Sequence, residues 1–246
     1  MPANAAYALG VIILMGIVAF ATLRSGQILR TWTPAGNLLL SVPDNLARLL
    51  LIALGVGLGV TVGPGPAALG WQTAHLGQDI ALGLIAGLLL ALALNGLGKL
   101  AVRRWGEGVV STRLVQCILP AGRAEWPGVL LALLPAAALE ELLFRSLPLG
   151  GIGWLISSPG PHGAAAAGWW LLWPLSLLFG LLHWPQGGWG VAGTTLAAVL
   201  LSVLFLASGS IWLPLAAHYA MNVHQLVAAK RSGLQPLRAG ASAARG

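Results

Sequence analysis

Seven stretches of apolar residues divide the chain, near 4–23, 46–63, 79–98, 126–147, 168–183, 190–207 and 211–229. Each approaches the roughly 20 residues that a helix needs to cross a hydrocarbon core of about 30 Å. The pattern predicts an all-α, polytopic transmembrane helix bundle with about seven spans. The first stretch is long, has no basic segment before it and no small-residue exit after it, so a retained helix is expected rather than a cleaved signal. No internal repeat or separate soluble domain stands out. The expected organisation is a single transmembrane domain over 1–231 with a motif-bearing core at 126–230. The segment 232–246, made largely of Ala, Gly, Ser and Arg, has too little apolar surface to order itself and is expected to be a disordered cytoplasmic tail. The stretch 99–125 mixes Arg and Glu with Val, Leu and Ile and is expected to lie on the membrane surface as a cytoplasmic cap.

Composition agrees with the pattern: 57% of residues are hydrophobic, 8% are charged, and mean hydropathy is +0.85. Charge placement adds orientation, because Lys and Arg are retained on the cytoplasmic side. Arg24, Arg30 and Arg48 flank the first connection, Lys99, Arg103, Arg104, Arg113 and Arg123 fill the third, and Lys230, Arg231, Arg238 and Arg245 follow the last span. Of the 13 basic residues only Arg145 falls elsewhere. The N-terminus is therefore expected outside and the C-terminus in the cytoplasm. The net charge of +7 is assigned to anionic lipid headgroups rather than to nucleic acid. Trp71, Trp105, Trp126, Trp184, Trp189 and Trp212 sit near span ends, as interfacial belts do. The single Cys117 cannot form a disulfide within the chain. An Ala-, Leu-, Gly- and Trp-rich chain with short loops points to a multi-pass protein of a bacterial plasma membrane.

The candidate chemistry lies in the later spans. Glu140 and Glu141 stand within the apolar stretch 126–149, with Arg145 one turn further on. A charge at mid-membrane costs roughly 2.5–3.5 kcal/mol on insertion scales, so three in one span face a cavity or find partners. An ion pair between Glu141 and Arg145, four residues apart, explains two of them and leaves Glu140 over. Phe179 and His183 close the fifth span, and His218 and Asn222 share one face of the seventh. His75, His162 and His224 lie in loops or near the tail and read as structural. The midpoint between Glu140 and His183 falls at about 161, inside the turn signal of residues 158–163, so an antiparallel hairpin would bring the two side chains level and let them touch. Glu140 would then lie roughly 26–30 Å from that turn, against about 12 Å for His218 below the sixth connection. A break at Pro148 with Gly150 and Gly151, or at Pro174, is expected to reconcile the depths by letting the intervening piece lie along the surface.

These residues, Glu140-Glu141-x-x-x-Arg145, Phe179-x-x-x-His183 and His218-x-x-x-Asn222, resemble the three ordered motifs of the CPBP intramembrane proteases. That family includes CAAX prenyl endopeptidases and bacterial Abi proteins. The resemblance implies a glutamate-dependent endopeptidase in which Glu140 acts as general base on a water and His183 orients it. His218 and Asn222 would donate to the oxyanion, and Glu141, Arg145 and Phe179 would support them. A carboxylate stripped of hydration becomes a better proton acceptor, and one oxyanion donor is worth about 2.7–4 kcal/mol. Other protease chemistries lack their residues: there is no HExxH, no GxSxG elbow, and Asp44 and Asp79 lie at span borders rather than at mid-membrane. The resemblance implies catalysis without a cofactor. Zinc is the alternative, since Glu140, His183 and His218 are competent ligands for a three-ligand catalytic site with one open position. The expected partners are the lipid bilayer and a membrane-embedded peptide or protein tail as substrate. The other functional class is a transporter or scaffold that binds a proton or ion at the same buried cluster.

Overall fold

The structure, a computed structural model, describes residues 3–157 and 163–239. Each of the seven windows carries a helix, and there is no strand among the described residues. The long helices are α1 (Ala3–Thr31), α2 (Val42–Val62) and α3 (Leu76–Trp105), followed by the short α4 (Arg113–Ile118) and α5 (Trp126–Glu141). A π-helical segment, Leu142–Ile152, continues α5 and leads into α6 (Gly153–Ile156); then come α7 (Gly163–Leu182), α8 (Gly187–Ser208) and α9 (Trp212–Arg231). The expected turn over 158–163, with His162, falls mainly at 158–162, outside the described residues.

Several helices outrun their hydropathy windows because apolarity tracks the lipid, while helix ends follow caps. The α2 helix starts at Val42, where the Ser41 hydroxyl accepts from the Asp44 N–H and Pro43 occupies the first turn. Five helical stretches among the described residues are long and apolar enough to cross a membrane: Ala3–Thr31, Val42–Val62, Leu76–Trp105, Arg123–Ile156 and Trp184–Ser208. The apolar part of α7, Ala167–Leu182, is shorter. The outward faces are strongly apolar, with Ile12, Phe20, Ile85 and Leu89 each more than half exposed, as lipid rather than water requires.

The connections sort into two ends. At one, the Arg113 guanidinium donates to the Leu29 carbonyl and to that of Trp32 at 3.2 Å, completing the C-terminus of α1. At the same end Asn37 Nδ2 donates to Ile118 O at 3.0 Å, Ser111 N to Gln186 O at 2.8 Å, and Lys230 Nζ to Pro120 O at 3.1 Å. The basic loops therefore gather together. At the other end Ile211 N donates to Gly70 O at 2.9 Å and the Trp212 indole to Gln72 O at 3.0 Å. Gly209, at φ +66, closes the tight α8–α9 turn there with its N–H on Phe205 O.

The motif-bearing helix differs from expectation in one respect. It does not end at Pro148 and lie along the surface; it runs on in a wider register, with every residue from Leu142 to Leu149 buried. Proline has no N–H for an i−4 bond, and a π register accommodates the defect by adding a residue per turn. Neighbours fill the widened stretch: Tyr7 Oη donates to Leu147 O at 2.9 Å, and Ser146 Oγ, which accepts from the Trp71 indole at 2.8 Å, donates to Leu69 O at 2.8 Å. Pro174 does not end α7 either. The depth conflict resolves when both helices are measured from the basic end. At 1.5 Å per residue Glu140 is about 21 Å along α5 from Trp126, and His218 about 20 Å along α9 from Arg231.

Two further features position these helices. Gly83 and Gly87 on α3 meet the α9 backbone so closely that a Cβ on Gly87 would lie 2.2 Å from Ala217 O, and one on Gly83 2.4 Å from Leu213 O. Small residues four apart permit this approach, and it fixes α9 immediately before His218. The cap region does more than lie on the surface: Val115 and Leu119 pack with Leu39, Val129, Leu133 and Leu226 in one cluster. The segment 232–239 also makes specific contacts with the cap. Leu237 N donates to Gln116 O, and the Arg238 guanidinium donates to the carbonyls of Gln116, Cys117 and Leu119 at 3.2, 3.1 and 2.9 Å. Hydrogen bonds from one arginine to carbonyls left open at the end of α4 supply what apolar burial does not.

Candidate active site

The last turn of α5 presents Glu140 and Glu141 in different directions, since adjacent helical residues point about 100° apart. Glu141 is completely buried, whereas a third of the Glu140 side chain is exposed. The expected i,i+4 partner is in place, with Arg145 Nη1 donating to Glu141 Oε1 at 3.1 Å. Arg145 is itself fully buried, and α8 completes its coordination. Its Nε donates to Ser202 Oγ and its Nη2 to Ala198 O, both at 3.3 Å, while its guanidinium lies 5.0 Å from the Phe179 ring. A buried ion pair is stable only when the remaining donors are also satisfied. Helix α8 therefore holds the motif arginine.

His218 joins the cluster from α9. Its Nδ1 lies 2.7 Å from Glu141 Oε1, and its Nε2 lies 3.5 Å from Glu140 Oε2. The ring thus bridges the two carboxylates, held firmly on the buried side and loosely on the open one. Because a carboxylate only accepts, the Nδ1 contact places a proton on that nitrogen and leaves Nε2 as the nitrogen facing the open side. The second oxygen of Glu141 is buried without a hydrogen-bond partner among the described residues.

Helix α7 supplies the third wall. Gly180 lets it approach α8, where a Cβ would lie 1.8 Å from Thr195 Oγ1. Phe179 then stands edge-on to Phe144 at 5.0 Å and to His218 at 6.3 Å. His183, just past the end of α7, stacks on Phe179 at 4.7 Å, and its Nδ1 lies 2.8 Å from Phe179 O. Among the described residues no hydrogen bond or ion pair joins His183 to Glu140; His183 reaches the cluster through Phe179. Asn222 is half-buried one turn beyond His218, and its amide makes no hydrogen bond among the described residues. His75 precedes α3 and His224 lies two residues past Asn222 on α9; neither contacts the cluster.

Zinc would require three ligands converging on one point. Among the described residues no three His, Cys, Asp or Glu side chains are so arranged. Glu140, His183 and His218 do not meet as an ion would need them, and no step below passes through a metal.

Ser202, Ala198, Gly83 and Gly87 hold the site and lie outside the motifs. The glycines carry a legible signal, small residues repeating at four along α3 as Gly83, Gly87 and Ala91. Ser202 and the Ala198 carbonyl carry none, since a serine in an apolar helix more often bonds its own backbone.

A polar cluster walled by three helices inside an apolar bundle defines a membrane enzyme or an ion-handling protein. The comparison with known families favours the first. Residues 122–224 match the family described as type II CAAX prenyl endopeptidase, Rce1-like. The matched segment carries all seven motif residues and is similar to this family of proteases. No curated protein and no solved structure matches the chain. The family matched is one of membrane endopeptidases, and several helices of this chain are long and apolar enough to cross a membrane.

Proposed function

We propose that Glu140 is the general base of a metal-independent peptide hydrolysis, with Glu141 its structural neighbour. The observation that carries this reading is the division of labour between adjacent carboxylates. Glu141 is committed to Arg145 and His218, while Glu140 keeps an open face beside a ring nitrogen 3.5 Å away. That separation exceeds a normal N–H···O bond of about 2.7–3.2 Å, so the Glu140 carboxylate retains capacity for a water. Three helices limit access of bulk solvent, which strengthens every charge interaction at the site.

The steps balance without a further reagent. Glu140 takes a proton from water as its oxygen bonds to the scissile carbonyl carbon. The resulting oxyanion accepts from His218 Nε2–H and from the Asn222 amide, with the ring held as an imidazolium by Glu141 on its far side. His183, fixed by its Nδ1 contact to Phe179 O, presents Nε2 to the water or the substrate. When the tetrahedral intermediate collapses, the C–N bond breaks and the proton held by Glu140 passes to the amine. The substrate is a membrane-embedded peptide or the membrane-proximal tail of another protein. Placing the basic end in the cytoplasm, with the C-terminus there and the N-terminus outside, follows from the charge bias.

The test compares purified wild type with Glu140→Gln on membrane-tethered peptides, with and without chelator. Loss of a general base removes about 10²–10⁴-fold of the rate, and chelator leaves the wild type unchanged. Equal cleavage by Glu140→Gln would refute the assignment, and loss in chelator restored by Zn²⁺ would refute metal independence.

A further inference from the structure

The stretch 65–72 of the loop between α2 and α3 carries no charge and lies outside the segment 122–224 that matches the family, yet it touches both elements that carry the catalytic cluster. It is braced internally as one tight turn: Leu69 N donates to Gly65 O at 3.2 Å, Gly70 N to Ala67 O at 3.2 Å and Trp71 N to Pro66 O at 2.8 Å. Toward the segment that continues from the glutamates, Leu69 O accepts from Ser146 Oγ at 2.8 Å, and the Trp71 indole donates to the same hydroxyl at 2.8 Å. Gly150 of that segment approaches so closely that a Cβ there would lie 2.3 Å from Ala68 O. Toward α9, Gly70 O accepts from Ile211 N at 2.9 Å and Gln72 O from the Trp212 indole at 3.0 Å. Glycine is required at position 70, since φ +72 lies in the left-handed region and a Cβ would meet Phe205 at 2.7 Å and Ile211 N at 3.1 Å. Trp71 itself packs against two core clusters, one with Leu142 and Leu147 and the other with Leu149, Phe205 and Ile211.

We infer that this loop is a positioning clamp for the hydrolysis proposed above, with Trp71 and Ser146 the residues through which it sets the separation of Glu140 from His218. The inference rests on that reading of the site. Ser146 directly follows Arg145, the partner of Glu141, and Ile211 precedes His218 by seven residues, roughly 10 Å along α9. A shift at either end of the clamp therefore moves one wall of the site relative to the other. The short contact between His218 and Glu141 holds only the buried side of the ring. On the open side His218 Nε2 and Glu140 Oε2 stand 3.5 Å apart, beyond a normal hydrogen bond, so that spacing is set by the backbones that carry the two side chains. Gly83 and Gly87 seat α9 against α3; the clamp seats it against the continuation of α5. A misplacement of about 1 Å, even from a change far from the chemistry, can cost about 10²-fold in rate.

The experiment measures kcat and KM on one membrane-tethered peptide, and thermal unfolding, for the purified full chain and its variants Trp71→Phe, Ser146→Ala, Trp170→Phe and Glu140→Gln. Trp71→Phe keeps an aromatic ring in the two clusters and removes the N–H donor, while Trp170, 78% exposed on α7, serves as control. In parallel, spin labels at Leu134→Cys on α5 and Gln225→Cys on α9, both exposed positions, report the helix separation in a Cys117→Ala background. For Trp71→Phe and Ser146→Ala the expected result is a kcat lowered about tenfold with KM within about twofold of wild type, because an interaction that only orders the reacting groups shows in kcat. The label distance should shift or broaden by about 1 Å in the same two variants. Trp170→Phe should match the wild type in every readout. A lower unfolding temperature with the kcat of the folded enzyme unchanged would make the loop a stability element alone and overturn the inference. A loss of kcat at an unchanged label distance would overturn it equally. Undiminished cleavage by Glu140→Gln would instead refute the general-base reading, and the label distance would still decide whether the loop sets the helix separation.

Discussion

The helices α1–α3 and the segment 123–156 are both long, apolar and helical, yet the bundle uses them in opposite ways. In their most apolar windows the three outer helices bury 17%, 11% and 17% of their residues, against 50% for the segment that carries the glutamates. The outer helices give their broad faces to lipid and contribute narrow contacts: Tyr7 to Leu147, Trp71 in the adjoining loop to Ser146, and the Gly83–Gly87 edge to α9. The central segment is enclosed, and of the three charges in its membrane-embedded part Glu141 and Arg145 are paired while Glu140 is turned to the open side of the cluster. Hydrophobicity alone therefore does not distinguish a lipid-facing helix from a site-bearing one. The positions of the few polar and very small residues do.

Substitutions should separate the two regions by size of effect. Replacing Arg145 by Met leaves the fully buried Glu141 with His218 as its one remaining partner among the described residues, with an expected loss of about 3–5 kcal/mol, readable in reversible unfolding in mixed micelles. A loss below 1 kcal/mol would show that the enclosure is far more hydrated than the burial of this pair implies. On α3, Gly87→Ala and Gly96→Ala provide a contrast within one helix. The first forces α9 away and should cost about 1–3 kcal/mol with reduced cleavage, because its Cβ meets the Ala217 backbone. The second has nothing within 4 Å and should be neutral or stabilising by up to about 1 kcal/mol through helix propensity. If both behave alike, the small-residue edge does not position His218. Smallest of all, Leu89→Ile on the lipid face of α3 should change stability by no more than about 0.5 kcal/mol, and a larger change would mean that this face has a protein partner.

Much of this arrangement is local in origin and was legible in order along the chain. The Glu141–Arg145 pair follows from helical spacing, and the seven windows follow from hydropathy. The three motifs carry the resemblance, and the family model that matches covers the same residues. What was not legible arises between helices. Proline chemistry alone allows either a break or a widened register at Pro148; burial against Tyr7, Leu69 and Phe205 favours the continuous helix, and those neighbours are distant in sequence. The hydrogen bonds from Arg145 to Ser202 and Ala198 depend on the rotation of α8, which its nearly uniform apolar surface does not encode. The route from His183 to the cluster through Phe179 depends likewise on where α7 ends. Equal spacing about a turn allows a contact between Glu140 and His183, but His183 packs on Phe179 instead.

The central claim is that Glu140 and His218 act as one unit, and a double-mutant cycle on kcat/KM tests it most directly. Glu140→Gln, His218→Gln and the double variant are compared with wild type on one membrane-tethered peptide, with unfolding monitored in parallel. If the carboxylate and the ring serve a single reacting water and oxyanion, the double variant will be no slower than the slower single variant, as for residues that act together. Losses that multiply would contradict the account and assign the two side chains to independent tasks.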